Sequence, residues 1–413
     1  MVSVTEHYDA YPYPERDPAD EAKRLVIGSP SHPVEMDHHL WAGRRDWSRP
    51  LRVLVAGGGT GDGVVQLAQT LASAGVPHEI TYIDLSHRAR AIAEARIEAR
   101  GLTGVRFETG SLLDAPDLGT FDYIDCCGVL HHLPDPPAGF RALRAALAPG
   151  GGAGIMVYAP YGRSGVYPLQ DAFGTLLEGL APEERLAAAR AMLERVPEGH
   201  PFRTNPHLVD HAASDAGFYD LLLHGQDRPY TVTELCETLD DTGWQLASFT
   251  MPALYDLSRL TGHGGDLPER VRMAAAEKLR GTIKTHVAYI VAAAEDEAPS
   301  APGTASCREG ASVPHLRGAD PRTLAKALQA GKPLPITLAG AAARLSLPKA
   351  AAALIARIDG RSSVAEITRA SGLDPVAGAS LWARIEDQLA PWGLLLCSGL
   401  YRGRGAAAAA GAG

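Results

Sequence analysis

One stretch of this sequence limits the fold more than any other: a hydrophobic segment that runs directly into a glycine-rich turn and then into an amphipathic segment. The hydrophobic part is LRVLVAG, residues 51–57, and the turn continues through GGTGDG to Gly63. In VVQLAQTLASAG, residues 64–75, apolar residues recur at helical spacing. A strand, a glycine turn and a helix in this order predict the first unit of a parallel α/β sheet with a ligand at the turn.

The same alternation of strands and helices continues over the next hundred residues. The predicted strands that follow are EITYIDL, VRFETG, FDYIDCC and AGIMVYA, and each is separated from the next by a helical pattern or a turn. A mostly helical segment, roughly residues 162–240, then interrupts the pattern. GWQLASFT and THVAYIVAAA resume it, so we predict one sheet with helices on both faces and a helical insertion.

Changes in composition divide the chain into segments. An irregular region rich in tyrosine, proline and histidine comes first, and a Pro-, Ser- and Gly-rich stretch and an alanine-rich tail come later. We predict an N-terminal arm or lid at 1–44, an α/β domain at 45–295, a linker at 296–312, an accessory domain at 313–401 and a disordered tail at 402–413. The accessory domain has three predicted helices and a short strand, WGLLLCS.

Charge and cysteine content exclude several classes of protein. The formal net charge of -9 argues against a nucleic-acid partner for the whole chain. The cysteines, with no C-x-x-C pair among them, indicate neither a zinc site nor a disulfide framework and favour a reducing compartment. They are Cys126, Cys127, Cys236, Cys307 and Cys397. Because the N-terminus lacks an apolar signal core and no run approaches roughly 20 apolar residues, we expect a cytoplasmic protein without a membrane partner.

The spacing of the glycines indicates the kind of ligand. A dinucleotide-binding turn needs G-x-G-x-x-G, but counting from Gly57 the third glycine position is occupied by Asp62. This argues against a nicotinamide dehydrogenase. The pattern present is G-x-G-x-G, Gly57, Gly59 and Gly61, which fits a loop that lets the backbone approach the methionine part of S-adenosylmethionine. Asp84, at the end of the second strand, is placed to bind both ribose hydroxyls, and its alternative role is a helix cap.

In this order and spacing, the motifs of residues 45–160 resemble those of class I S-adenosylmethionine-dependent methyltransferases. The segments that carry the resemblance are VLVAGGGTGDG, YIDLS, FETGSLLDAP, and FDYIDCCGVLHHLPDP before a helix ending in PGG. The resemblance implies S-adenosylmethionine as cofactor and a Rossmann-like seven-stranded sheet whose last strand is antiparallel. It also implies that Ser111 and Leu112 flank the adenine and that 127–130 lie along the cofactor.

Two positions depart from the family pattern. Where relatives commonly carry an acidic residue two positions before the first glycine, this chain has Val55, so Asp62 or the arm is expected to take over the methionine ammonium. Ser111 stands where many relatives have an aspartate that reaches the adenine. The predicted cofactor contacts are Gly57, Gly59, Gly61, Asp62, Asp84, Leu85, Ser111, Leu112, Cys127 and Gly128.

The residues that follow the fourth and fifth strands are candidates for the chemistry. Methyl transfer is an in-line displacement, so the protein mainly positions the acceptor, and an amine acceptor must arrive uncharged. The predicted catalytic residues are His131, Tyr158 and Tyr161, which follow these strands at the ligand-binding edge of the sheet. The alternative for each of them is structural packing.

Further side chains are predicted to bind the acceptor. They are Tyr11 and Tyr13 of the arm, which with Tyr8 either close over the cofactor or pin the arm down, and His132 and His224. The segment YDLLLHGQDRPYTVTEL gathers Asp220, His224 and Asp227 before a helix, which indicates either part of the acceptor pocket or an ion-paired turn. No metal site is expected, because the pair His207 and His211 lacks a third ligand.

The regions outside the core bear on the substrate. The arm, insertion and C-terminal region together resemble bacterial methyltransferases with an added regulatory region, including the rickettsial protein lysine methyltransferases. ALIARIDGRSSVAEI resembles small winged-helix-like modules. We therefore predict methylation of a protein or peptide side chain, and the sequence leaves a homodimer open. A small-molecule methyltransferase and a non-enzymatic S-adenosylmethionine-binding regulator remain alternatives.

Overall fold

The computed structural model describes residues 8–27, 30–293 and 303–403. Its central feature is a seven-stranded sheet with the strand order β3-β2-β1-β4-β5-β7-β6. The strands are β1 (Leu51–Ala56), β2 (His78–Asp84), β3 (Val105–Thr109), β4 (Phe121–Cys127), β5 (Leu147–Tyr158), β6 (Trp244–Phe249) and β7 (Thr285–Ala292). β7 is antiparallel to both β5 and β6. The predicted Rossmann-like sheet and its antiparallel last strand are confirmed.

Helices cover both faces of this sheet. They are α1 (Pro33–Leu40), α2 (Asp62–Ser73), α3 (His87–Ala99), α4 (Ala115–Leu118) and α5 (Pro136–Ala145). α2 shows how the sequence sets these elements: it begins after Gly61, whose left-handed backbone (φ +102°) a side chain would strain. Its apolar residues Val64, Leu67 and Leu71 are all fully buried, so one face of the helix packs onto the sheet.

The region between β5 and β6 is helical, as its periodicity predicts. Its helices are α6 (Val166–Leu176), α7 (Pro182–Arg195), α8 (Pro201–Thr204), α9 (Asp210–Ala213), α10 (Asp215–Leu223) and α11 (Val232–Asp241), and α12 (Glu269–Arg280) precedes β7. Phe173, Phe202 and Phe218 share a separate hydrophobic cluster, whereas Val232 of α11 packs into the core beneath the main sheet. The insertion therefore has its own core and lies beside the sheet edge.

The C-terminal region combines short helices with two small sheets. Its elements are β8 (Pro314–Leu316), α13 (Pro321–Gln329), β9 (Leu334–Leu338), β10 (Ala341–Leu345), α14 (Ala352–Ile355), α15 (Val364–Ala370), α16 (Pro375–Leu389) and β11 (Leu395–Cys397). β9 pairs with β10 and β8 with β11, both antiparallel. α14, α15, α16 and β11 match the elements expected here, while α13 and the β9–β10 hairpin are absent from the sequence-based expectation. The winged-helix assignment stays a prediction.

A disulfide between Cys307 and Cys397 corrects the expectation that the cysteines form none. The two residues are 90 positions apart in sequence, so no local spacing pattern could indicate the pair. Residues 303–312, which fall within the predicted linker, are also held to α1, since the Ala305 N–H donates to the His38 carbonyl (2.7 Å). Because disulfides are typical of oxidising compartments, the cysteine pattern no longer supports a reducing one.

The C-terminal region is joined closely to the N-terminal part of the chain through α1. The Ser398 hydroxyl and the Gly399 N–H both donate to Oδ2 of buried Asp37, at 2.6 and 3.1 Å. Arg317 pairs with buried Glu35 at 2.6 Å.

The helices within the described ranges lack the combination of length and apolar character that crossing a bilayer requires.

Candidate active site

A cavity of about 670 Å³ lies at the carboxyl ends of β1, β2 and β4. The strand order reverses between β1 and β4, and such a switch point leaves a crevice in open α/β sheets. Gly57 follows β1, Leu85 follows β2 and Gly128 follows β4, and all three line the cavity. Its volume is in the range of small-molecule sites, about 300–1,000 Å³.

The glycine turn forms one wall of this cavity and requires its glycines. Gly57 and Gly59 have φ values of +71° and +52°, in the left-handed region that favours glycine. A Cβ atom on Gly57 would lie 2.4 Å from a methyl carbon of Val129, and one on Gly58 would lie 2.3 Å from the Tyr82 ring. The turn is therefore packed from behind, and its backbone faces the cavity without side chains in the way.

Asp84 fastens the glycine turn to the end of β2. Its Oδ2 accepts the Gly59 N–H at 2.8 Å and its Oδ1 accepts the Ser86 N–H at 2.9 Å. Burial raises the pKa of the Asp84 carboxyl, although these backbone hydrogen bonds oppose the rise. Ser86, not Asp84, caps α3, since its hydroxyl accepts the Ala89 N–H. Asp84 orders the loop and lines the cavity, and its contact with the ribose stays a prediction.

The structure brings the other predicted cofactor residues together as well. All of them line the cavity except Gly61, namely Gly57, Gly59, Asp62, Asp84, Leu85, Ser111, Leu112, Cys127 and Gly128. Gly61 instead starts α2, where a Cβ atom would lie 2.9 Å from that of Ala93. Gly61 therefore allows α2 and α3 to pack closely together and does not form part of the cavity wall.

Asp62 lines the cavity, but its carboxylate is engaged by two guanidinium groups. Arg16 of the arm donates to both oxygens, at 2.8 and 2.6 Å, and Arg96 donates to Oδ1 at 2.8 Å. Burial opposes ionisation, yet the hydrogen bonds from Arg16 and Arg96 outweigh it, so the pKa of Asp62 lies below its usual value. Asp62 holds the arm against the glycine turn.

An acidic residue that the motif analysis missed takes the place vacant at Val55. Asp125 of β4 is the register partner of Val55 across the parallel β1–β4 pair. Both residues line the cavity, and Asp125 is only 2% exposed. Strand pairing puts this carboxylate beside the position where relatives carry theirs, which inspection of one strand at a time does not show.

The N-terminal arm lies over the cavity. Tyr13, Pro14 and Arg16 line it, and the Thr60 hydroxyl of the glycine turn donates to the Pro14 carbonyl at 2.6 Å. Tyr11, in contrast, faces the insertion and stacks on Tyr219 with ring centroids 4.9 Å apart. The arm thus contributes Tyr13, but not Tyr11, to the cavity wall.

Polar side chains from three parts of the chain line another part of the cavity, called the acceptor end. They are Tyr8 of the arm, His132 and Tyr158 of the sheet edge, and Asp220 and Gln226 of the insertion. The hydroxyls of Tyr158 and Tyr8 donate to the two oxygens of Asp220, at 3.0 and 3.2 Å. Burial raises the pKa of the Asp220 carboxyl.

The predicted catalytic residues His131 and Tyr161 and the predicted acceptor residue His224 do not line the cavity. His131 is 1% exposed and packs between His132 and Tyr158, with ring centroids 4.1 and 4.0 Å away. Burial holds the pKa of His131 well below its usual value. His224 stacks on His132 at 3.8 Å.

A buried arginine borders the acceptor end. The Arg163 guanidinium lies 3.6 Å from the Tyr158 ring centroid and pairs with Asp227 at 3.2 Å. Gln170 also donates to Asp227, at 3.0 Å. Asp227 therefore compensates the positive charge of Arg163, and Asp220 is the carboxylate of this pair that lines the cavity.

Comparison with known proteins agrees with this geometry. Residues 54–153 match a family model described as a methyltransferase domain. An uncharacterized protein of Synechococcus sp. is 32% identical over 274 residues, 65% of this chain and 64% of that protein. A ubiquinone biosynthesis O-methyltransferase of Ralstonia nicotianae is 32% identical over 120 residues, 28% of this chain and 48% of the enzyme. The chain thus spans less than two thirds of the length of these relatives.

Among solved structures, PKMT2 from Rickettsia typhi in complex with AdoHcy matches with a TM-score of 0.66 over 90% of this chain and 76% of that one. At 14% identity, this similarity is one of fold. Residues 54–153 therefore form a methyltransferase domain with the class I fold, as the motifs predict, and the cofactor that the motifs predict for it is S-adenosylmethionine. The residues present fit it: side chains are absent from the turn where the backbone must approach, and acidic groups stand on β2 and β4.

Proposed function

We propose that this protein transfers the methyl group of S-adenosylmethionine to a side chain of a protein or peptide. The observation that carries the proposal is the continuity of the cavity. One end is formed by the glycine turn and Asp84, and the other by His132, Tyr158 and Asp220. A cofactor bound at the first end supplies an electrophilic methyl group, and the second end offers polar groups to an acceptor.

The chain's own residues prepare this reaction by positioning and by excluding water. The arm covers the cavity through Tyr13 and Pro14, and its attachment through Arg16 and Asp62 closes the side next to the glycine turn. Such closure strengthens electrostatic interactions inside the site and keeps water from competing with the acceptor. In-line displacement then depends on how well the acceptor is held.

Two observations favour a protein or peptide acceptor. The acceptor end is built from the arm and the insertion, elements added to the sheet, rather than from the sheet alone. The fold similarity to PKMT2 of Rickettsia typhi also extends over 90% of the chain, well beyond the methyltransferase domain. The similarity to the ubiquinone biosynthesis O-methyltransferase covers only 28% of the chain and supports a small-molecule acceptor less.

The test is to incubate the purified protein with methyl-labelled S-adenosylmethionine and a bacterial extract, and then to separate protein, nucleic acid and metabolites. We expect label in the protein fraction for the wild type and none for Asp84→Ala. An exposed-carboxylate control, Asp171→Asn, should label as the wild type does. Label confined to metabolites would make this a small-molecule enzyme. Cofactor binding without any transfer would favour the regulator.

A further inference from the structure

We propose that His132 accepts the proton that the methyl acceptor loses, in a tautomer set by the main chain of Gln226. This inference rests on the proposed methyl transfer and deepens it. It specifies the acceptor as a group that gives up a proton on methylation, such as an ammonium or a hydroxyl.

The tautomer of His132 follows from one hydrogen bond. Its Nδ1 lies 2.8 Å from the Gln226 carbonyl oxygen. A carbonyl can only accept, so Nδ1 carries the hydrogen, and in the neutral ring Nε2 carries the lone pair. The ring lines the cavity between Tyr158 and Asp220, and the nitrogen that remains basic is therefore the one not tied to the backbone.

Gln226 fixes the neighbouring ring in the opposite tautomer. Its N–H donates to Nδ1 of His224 at 3.0 Å, which leaves the hydrogen of neutral His224 on Nε2. That nitrogen lies 3.4 Å from the Tyr8 hydroxyl oxygen. One residue thus orients both stacked rings through its own peptide groups, and of these two rings it is His132 whose lone pair is not used by the backbone of Gln226.

The same hydrogen bonds argue against a metal ion held by His132, Asp220 and His224. Ligand atoms of these three residues lie within 4.8 Å of one another. A histidine ligand needs a free lone pair, and that of His224 already accepts the Gln226 N–H. For this group, proton transfer fits the hydrogen bonds better than coordination does.

Asp220 is the residue that stabilises the charge His132 would acquire. It is 3% exposed and is held by the Tyr8 and Tyr158 hydroxyls. A nearby carboxylate favours the protonated imidazole, so Asp220 acts as a positioning residue. The ionisable groups near the His132 ring are His131, Tyr158, Asp220, His224 and Asp227. Tyr8 contacts His224, and Arg163 lies over the Tyr158 ring.

The step balances without any further reactant. The acceptor proton passes to Nε2 of His132, before methyl transfer for an ammonium, which thereby gains its lone pair, and during it for a hydroxyl. The lone pair of the acceptor atom forms the new bond to the methyl carbon, and the pair of the broken carbon–sulfur bond stays with sulfur. Solvent can remove that proton after product leaves. General-base catalysis of this kind typically contributes roughly 10²- to 10⁴-fold in rate.

The experiment compares His132→Gln with wild type in the extract fraction that accepts label, and uses exposed His263→Gln as the matched control. We expect His132→Gln to lower the transfer rate roughly 10²-fold or more, with S-adenosylhomocysteine affinity within about twofold. The change in transfer rate with pH that an imidazole base produces should be absent from the variant. An unchanged rate, or an unchanged pH profile, would overturn the inference.

A second measurement does not depend on an acceptor. Imidazole ¹⁵N NMR of histidine-labelled protein, with the His132→Gln spectrum for assignment, should show His132 with a protonated Nδ1 and an unprotonated Nε2 at neutral pH. The reverse tautomer would reject the assignment. If wild type transfers no label to any fraction while it binds cofactor, the proposed function fails, whatever the tautomer.

Discussion

Val55 and Asp125 lie side by side on β1 and β4, so a buried carboxylate of β4 stands next to the apolar side chain of β1 in the cavity wall. This relationship suggests how the ammonium of the cofactor's methionine part is held. A buried carboxylate next to the glycine turn can accept a charge-assisted hydrogen bond, and bonds to charged groups contribute about 1.5–3 kcal/mol.

We therefore expect Asp125→Asn to weaken S-adenosylmethionine binding by roughly 10- to 100-fold, measured by calorimetry. Methylthioadenosine lacks the amino acid part, so its affinity should be nearly unchanged. Equal losses for both ligands would show that the substitution disturbs the cavity in general.

Asp84→Ala should weaken the binding of both ligands, unlike Asp125→Asn. The change removes the acceptor for the Gly59 and Ser86 N–H groups, and it also removes the carboxylate predicted to bind the ribose. Because both ligands contain ribose, S-adenosylmethionine and methylthioadenosine should lose affinity together, by at least roughly tenfold. Affinity near that of wild type would remove the central site assignment.

Arg16→Ala should loosen the arm. Its two hydrogen bonds to Asp62 connect the arm to the start of α2, and the partly buried pair closes one side of the cavity. Stopped-flow measurements should show faster dissociation of S-adenosylhomocysteine, and limited proteolysis should cut the arm sooner. Arg24→Ala, an exposed change in the same segment, is the control. Identical dissociation rates in both variants would mean that the arm does not limit release.

The disulfide should contribute to stability, since Cys307 and Cys397 close a loop of 90 residues. The chain-entropy model gives about 4.6 kcal/mol for such a loop. We expect Cys307→Ser to lower the denaturation midpoint and to abolish the effect of reductant on it. Thiol titration of the wild type should find the three free cysteines Cys126, Cys127 and Cys236. A wild-type midpoint that reductant does not change would contradict the bond.

Stability should also fall in mild acid because of His38. Burial lowers the pKa of His38 to about 4, against about 6.5 in the unfolded chain. A group with a lowered folded pKa stabilises the protein above its unfolded pKa, and that contribution is lost as pH falls from about 6.5 towards 4. About 2 kcal/mol should be lost between pH 7 and 5. Urea denaturation of His38→Gln should show a smaller pH dependence than wild type or His263→Gln, and equal slopes would contradict the assignment.

The sequence predicts the sheet and most of the cofactor end because both depend on local patterns. The backbone conformation of the turn requires glycine at positions 57 and 59, and Asp84 stands at the end of a strand. Motif spacing therefore finds all three. Asp125 and Gln226 escape this approach. Asp125 acts through strand register, and Gln226 acts through its peptide groups, which no side-chain pattern reveals. The pairing of Cys307 with Cys397 depends on how two distant segments fold together.

The attachment of α1 to the C-terminal region limits how this protein can be shortened. Asp37 and Glu35 are buried carboxylates whose partners, Ser398, Gly399 and Arg317, all lie beyond residue 303. A fragment ending before them would leave both carboxylates without these partners, in the helix that follows the arm. The C-terminal region is therefore part of the fold on which α1 depends, and a shortened protein that keeps α1 should keep residues 317 and 398–399 as well.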